Sequence, residues 1–580
     1  FTPVSGATNT YTIGTLTSGS CVDITGRSTS DNAAAIQWTC NGQTNQQFRL
    51  QAVTVSGATN TFNLLAVHSS KCIAPGGDNI TLVQLPCTTA TTGIWRLAGL
   101  PGGGNPSTSR TAAPSTGPTT GPPPVPGQPG TWAAVPVNPF NGGAGTFMWL
   151  LTDGSILSNG SDLHQWVKLV PDQFGDYTKG TWTSLATSPY GVGAAQEQIL
   201  PDGRFYQAGG EFVYQWPAGS SANDHNGVQL YNPVTNTWTL GQSGLYGNLW
   251  DTGTAHLKDG RIVASDQRQA RTQIFNPAGN TWTAAANRPA PAAEDGWVPL
   301  PDGSIVSIGA GGAYRYDPAA NTWSTLPRPP ASYASGSVDT SMVTLMYDGR
   351  ILAMGHNTSV IYTPGARPSD PGSWAQGPAI PQGSFVDDVY VTPEGNGKVI
   401  FDSVRCSWVT GECGSAPGAL INEFDPATNT MATISQPNDP GGAPVNFINL
   451  PNGQVLAAAG SRNWVYTPVG APNSAWRPTI TAIAAAGGST YRLTGTQLSG
   501  MVSVGEDDYQ NPQNYPIVYL KDAAGHVTFA RTTNFSSMGT SRPGESQTTD
   551  LTLPGGLAHG TYTLYVSACG VSSSGLSFTF

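Results

Sequence analysis

The chain has 580 residues, a formal net charge of −10 and only 10% charged residues, with 72 Gly and 47 Pro. That density of Gly and Pro excludes a mainly helical protein, because both residues break helix interiors, and it leaves strands joined by many turns. With 25 Lys and Arg against 35 Asp and Glu and no basic run, nucleic acid and anionic membrane surfaces are excluded as partners.

No apolar run approaches the ~20 residues of a membrane span. The sequence opens without a charged-then-apolar leader, which reads as the mature form of a secreted, extracellular chain. Its length predicts three or four domains.

The first predicted body, residues 1–98, carries a short internal repeat. Val4–Tyr11 (VSGATNTY) recurs as Val55–Phe62 (VSGATNTF), an offset shared by Cys21 and Cys72. The spacing of Cys21 with Cys40, Cys72 with Cys87 and Cys406 with Cys413 predicts three local disulfides, leaving Cys569 over, and hence an oxidising compartment. No cysteine pair has the CxxC spacing of a zinc or redox site.

The first half of the repeat reads Cys21-Val-Asp23, then Ile36-Gln37-Trp38-Thr-Cys40, then Asn45-Gln46. This pattern resembles the ricin B-type β-trefoil lectin repeat. The resemblance implies a carbohydrate site at Asp23, Gln37, Trp38, Asn45 and Gln46, where a carboxylate and amides bond vicinal hydroxyls while an indole covers the apolar sugar face. The second half has Ala74 in place of the Asp, so its site is expected to be dead. Two repeats are visible where a trefoil has three.

Residues 99–130 are mostly Pro, Gly, Ser and Thr, with Arg110 as their one charge. Such a segment cannot bury enough surface to offset ordering and reads as a linker. From 131 to 476 a longer period takes over. Asp153-Gly154, Asp202-Gly203, Asp259-Gly260, Asp302-Gly303, Asp348-Gly349, Asn396-Gly397 and Asn452-Gly453 recur about every 50 residues, each ahead of an apolar strand. Several copies close with an aromatic-Asx-Pro turn and an Asn-Thr pair. The period predicts a seven-bladed kelch β-propeller. Residues 477–580 lose it and read as a β-sandwich of the immunoglobulin-like kind. The fold class is therefore all-β: lectin module, propeller and sandwich.

A kelch propeller followed by a β-sandwich resembles the galactose oxidase and glyoxal oxidase group of copper radical oxidases, with Gly505–Tyr509, Asn514–Ile517 and Phe529–Thr532 especially similar to the last domain of bacterial members. That group needs a Cys-crosslinked Tyr, a Tyr beside a His, and a further His from the sandwich. Here the corresponding segments read Asp251, Pro444-Val-Asn446 and Thr532-Thr-Asn534, so copper is not expected and the reaction does not transfer with the fold.

Acids stand at the starts of four successive blades instead, 8 to 10 residues before the turn glycine: Asp251, Glu294 with Asp295, Asp339, and Asp387 with Asp388. Trp250 and Trp297 accompany them as candidate sugar platforms. Carboxylates and aromatics around one mouth of the channel suit glycoside hydrolysis, one carboxyl protonating the leaving oxygen and a second acting as nucleophile or base. The same acids equally suit caps on backbone amides or a structural Ca²⁺ site. His256, Arg268 and Arg271 would instead suit a lyase acting on uronic-acid polymers. The expectation is a monomeric carbohydrate-active protein with a polysaccharide or glycan partner: a hydrolase first, a lyase second, and a non-catalytic glycan-binding or adhesion protein as the rival from another class.

Overall fold

The computed structural model describes residues 1–580 except 1, 5–6, 8, 14–19, 54–60, 76–81, 88–94, 97–129, 141–146, 161, 216–224, 251, 268, 293, 310, 334–341, 382–383, 387–388, 405–418, 438–444, 460–461 and 507–510. The chain forms two compact units, Phe1–Pro114 and Ser115–Phe580. The described residues contain strands and short 3-10 turns and no α-helix, as the Gly and Pro content requires.

In the first unit the repeat folds as two hairpins of matching register. Cys21–Ile24 pairs with Ala33–Trp38, and Cys72–Pro75 pairs with Leu82–Leu85. The Cys21–Cys40 and Cys72–Cys87 disulfides close them. A small core of Ile24, Phe48, Leu64, Ala66 and Ile73 lies between. Cys406 and Cys413 fall outside the described residues, as does most of the linker.

The second unit contains seven four-stranded blades, one of them extended by a fifth strand. Their innermost strands are Met148–Leu150, Gln196–Ile199, Thr254–His256, Gly296–Pro299, Met342–Leu345, Val391–Pro393 and Asn446–Asn449. These define blades 1 to 7. Each turn glycine sits in the left-handed region, from φ 76° at Gly154 to 95° at Gly397, which is why Gly recurs there. The ring closes when Thr131–Ala134, from before blade 1, pairs with Arg462–Thr467 as the outermost strand of blade 7.

Outer-strand tryptophans stitch five of the seven blades to the segment before them. Trp238 Nε1 donates to Ala186 O at 3.0 Å, and Trp282 Nε1 to Gln242 O, Trp374 Nε1 to Pro327 O and Trp182 Nε1 to Pro136 O, each at 2.8 Å. Trp132 Nε1 completes the circuit at Ser435 O, 2.7 Å away.

Eight of the last nine strands, from Thr479–Gly487 to Leu576–Thr579, form one sheet that folds over a core of Leu493, Val518, Leu551, Leu564 and Phe578. This sandwich covers the turn-glycine end of the propeller. Tyr515 Oη donates to Leu150 O at 2.6 Å, Thr540 Oγ1 to Pro299 O at 2.6 Å and Ser572 Oγ to Pro451 O at 2.8 Å. Trp476 stacks on Tyr347 with ring centroids 4.1 Å apart.

Two stretches that follow the second sandwich strand, residues 503–506 and 511–515, enter the propeller axis. Ser503–Gly505 runs antiparallel to Leu345–Val343 of blade 5. On the return, Asn511 Nδ2 donates to Phe447 O at 3.3 Å, and Gln513 Oε1 accepts from Asn449 N of blade 7 at 2.9 Å. Gly505 lies so close to the backbone of Trp297 that a Cβ there would stand 2.4 Å from its carbonyl oxygen. The channel is thus plugged from the sandwich side.

Candidate functional site

In the first unit, Asp23 is the third residue of its strand and the ladder pairs it with Ile36, while Cys21 pairs with Trp38 and Val22 with Gln37. Alternation along a strand puts Asp23 and Trp38 on one face. Asp23 is 5% exposed and Trp38 59% exposed, so a buried carboxylate lies on the same side as an open indole. Gln37 is adjacent to Trp38 in sequence and therefore falls on the opposite face; the ladder does not bring it to Asp23. This corrects its place in the expected site.

The turn Thr44–Gln46 follows the Cys21–Cys40 disulfide and carries two of the expected amides. Gln46 Nε2 donates to Asp23 Oδ2 at 2.8 Å and to Thr39 O at 2.9 Å, while its Oε1 accepts from Asn41 N at 2.7 Å. Both polar atoms of that side chain are hydrogen-bonded, and one of those bonds holds the carboxylate. Asn45 Nδ2 donates to Ile24 O at 3.2 Å, and its Oδ1 is buried with no partner among the described residues. The second hairpin has the same register with Ala74 at the Asp position, Leu85 at the Trp position and Gln84 at the Gln37 position. Gln84 is buried and bonds Ser28 O and Ser30 O, so that hairpin offers a sugar neither carboxylate nor indole.

In the propeller, Asp251, Asp339, Asp387, Asp388 and Arg268 lie outside the described residues. Glu294 and Asp295 open the inner strand of blade 4 and behave differently from each other. Asp295 is buried and ion-paired with Arg288; its Oδ2 also accepts from Ser307 Oγ at 2.8 Å. The Arg288 guanidinium in turn lies over Trp297, Tyr314 and Trp323, 5.0 to 5.5 Å from the ring centroids. Asp295 is therefore the counterion of a buried arginine, which makes it a poor Ca²⁺ ligand as well as a poor catalytic acid. Trp297 is 1% exposed and set edge-on to Trp323. It has no face to offer a sugar, which corrects its expected role.

Glu294 is half-buried, with φ of 51°. Ala194, at the matching place in blade 2, has φ of 49°, so the conformation belongs to the blade-start turn and not to a carboxylate under functional strain. Trp250, also half-buried, packs against His225 with centroids 5.7 Å apart.

The described residues expected of a lyase are no better placed. His256 is buried in the inner strand of blade 3, and burial pushes its pKa down to about 4, so it is neutral and sealed from bulk solvent. Arg271 Nη2 donates to buried Asp266 at 2.8 Å, with Tyr246 beneath its guanidinium. Arg288 is the residue missed from sequence; as the one cation between Arg271 and Arg315, seven residues before Asp295, it was the available signal.

The described positions that correspond to copper ligands carry amides. Asn446 Oδ1 accepts from Met148 N at 3.3 Å, and Asn534 Nδ2 donates to Asp550 at 2.8 Å. Neither offers the imidazole or phenolate that copper chemistry of that kind needs, so these residues do not fit the metal. Among the described residues no three His, Cys, Asp or Glu side chains converge. Cys569 is unpaired and buried, and burial pushes its thiol up to about 12, which makes it inert.

Comparison with known proteins bears on the two units separately. No curated protein sequence matches the chain. A solved structure described as a "novel fungal alcohol oxidase with catalytic diversity among the AA5 family, in complex with copper" is similar at 14% identity and a TM-score of 0.47, covering 78% of this chain and 99% of that one. Residues 1–85 match the family model of ricin-type β-trefoil lectin domain-like proteins.

Proposed function

We propose that this is a secreted glycan-binding protein whose N-terminal module holds one sugar against Trp38, with Asp23 and Asn45 bonding its hydroxyls. The observation that carries the reading is the Asp23–Gln46 pair. Gln46 Nε2 holds Asp23 Oδ2, and among the described residues nothing donates to Asp23 Oδ1 or to the buried Asn45 Oδ1. Two acceptors beside an open indole match vicinal hydroxyls on a sugar with one apolar face. The disulfides agree with an oxidising, extracellular setting. Isothermal titration of the full chain with sugars selected on a glycan array tests the proposal. Binding that disappears in Asp23→Ala and in Trp38→Ala supports it; binding indifferent to both overturns it.

A second reading keeps a depolymerising hydrolase on the propeller, with the tethered module concentrating substrate. It is favoured by Glu294, a blade-start carboxylate that is not fully buried, and draws on Asp251, Asp339, Asp387 and Asp388, which hold blade-start positions in the sequence and lie outside the described residues. Mass spectrometry of products from a polysaccharide panel tests it. Fragments with one added water that vanish in Glu294→Gln support hydrolysis, and an unchanged panel removes it. A lyase is disfavoured because His256 is buried and Arg271 is already paired with Asp266.

A further inference from the structure

The second unit has a groove of its own, of about 510 Å³, between the outer parts of blades 1 and 2 and the sandwich. That volume is within the range of sites that hold small ligands. Its propeller wall includes Asp153, Val170, Asp172 and Val234, and its sandwich wall includes Phe529 and Arg531. The two walls are fixed to each other. Val527 N donates to Gln173 O at 2.8 Å, and Phe529 packs so tightly on Gly154 that a Cβ there would stand 2.3 Å from the ring.

The polar groups of this groove are held in place with capacity to spare. Asp153 Oδ1 accepts from Ser155, and Asp172 Oδ1 from Phe174 N and Asp176 N, which leaves Oδ2 of each without a protein partner among the described residues. Arg531 makes one long hydrogen bond, Nη1 to Asp202 O at 3.4 Å. Between them stand apolar surfaces open to water, Val170 at 39% and Val234 at 61% exposure.

We infer that this groove is a binding site for a neutral oligosaccharide, separate from the Asp23 site. Two carboxylates accept from hydroxyl donors and a guanidinium donates to hydroxyl oxygens, while Phe529 and the two valines meet the apolar faces of the rings. The charge balance selects the class: two acids against one base leave the groove negative, so uronic-acid chains are repelled and uncharged sugars are not.

The test uses the full chain with Asp23→Ala and Trp38→Ala, so that the first module is silent whether or not its own assignment is right. Hydrogen exchange and isothermal titration are then run with β-glucan, xylan and mannan fragments, with an oligogalacturonate as the charged control. The expected result is binding of a neutral fragment that slows exchange in 170–174 and 527–531 and weakens by about tenfold, ~1.4 kcal/mol, in Arg531→Ala. Val234→Ala, at an exposed position that folding does not depend on, should weaken it as well. No binding by any neutral fragment, equal binding of the oligogalacturonate, or binding untouched by both variants overturns the inference. Protection of the same segments by a proline-rich peptide in place of sugars overturns it too.

Discussion

At the scale of single residues, the two acids most exposed to test have opposite roles. Asp23 is neutral to folding in its charge but not in its shape, because Asn at that position still accepts from Gln46. Asp23→Asn should therefore keep the melting temperature while glycan affinity falls about 10- to 100-fold, in line with the roughly 1.5–3 kcal/mol of a hydrogen bond to a charged group. Titration beside a thermal melt checks both halves. Asp295 is the reverse case. Removing it strands the Arg288 guanidinium in a ring of aromatics, so Asp295→Ala should destabilise the second unit by about 3–5 kcal/mol. A melt of Asp295→Ala close to that of the parent chain would show that the pair is not structural. The difference was only half legible in sequence. The Asp, Trp and Asn-Gln of the lectin repeat are local, and the disulfide fixes their spacing. The partner of Asp295 lies across a turn, and nothing in the composition of that turn says which way Arg288 faces.

At the scale of elements, hairpin turns announced themselves and long-range pairing did not. Each Asp-Gly or Asn-Gly turn needs a left-handed residue, and the chain supplies glycine at all seven; the blades could be counted from that requirement alone. The stretches 503–506 and 511–515 carry no comparable signal. Ser503–Gly505 pairs with a strand some 160 residues earlier, so the plugging of the channel is decided by tertiary contacts. The closing strand lies between these extremes. Trp132 repeats the outer-strand pattern of Trp182, Trp238, Trp282 and Trp374, and its ring sits 4.6 Å from that of Tyr466. Because it joins the ends of the ring, Trp132→Ala should cost about 3 kcal/mol through lost packing and the Ser435 bond. The comparable change at Trp238 leaves ring closure intact. Hydrogen exchange should therefore show fraying confined to residues 462–467 in Trp132→Ala; uniform loss of protection across all blades would contradict a local closure role.

At the scale of the whole molecule, buried titratable groups set how stability varies with pH, and their signs oppose one another. Asp402 accepts from Tyr390 N at 2.8 Å and Val445 N at 2.9 Å, joining blade 6 to the approach of blade 7. Burial raises its pKa to about 7 despite those bonds. Glu394 is raised to about 8, by burial first and then by the nearby Glu423 charge, which itself accepts from Lys398 and Tyr466. Both carboxyls are more readily protonated folded than unfolded. Their contribution is complete below about pH 4 and is lost as pH rises through about 7 and 8, at roughly 1.4 kcal/mol per unit for each group. His256 runs the other way: its contribution is complete above about pH 6.5 and is lost as pH falls towards 4. Two descending slopes against one ascending slope leave a net decline with rising pH across the neutral range. Asp550, lowered chiefly by its hydrogen bond from Arg492, adds a loss at the acid end. The second unit should melt highest near about pH 4 and several degrees lower near about pH 8.5. In Asp402→Asn one of the two backbone bonds is lost, so the melt near pH 5 drops, but the slope through neutrality flattens because the titrating group is gone. Scanning calorimetry across that range decides it: a slope unchanged in Asp402→Asn would assign the decline to other groups and free Asp402 from the role given to it here.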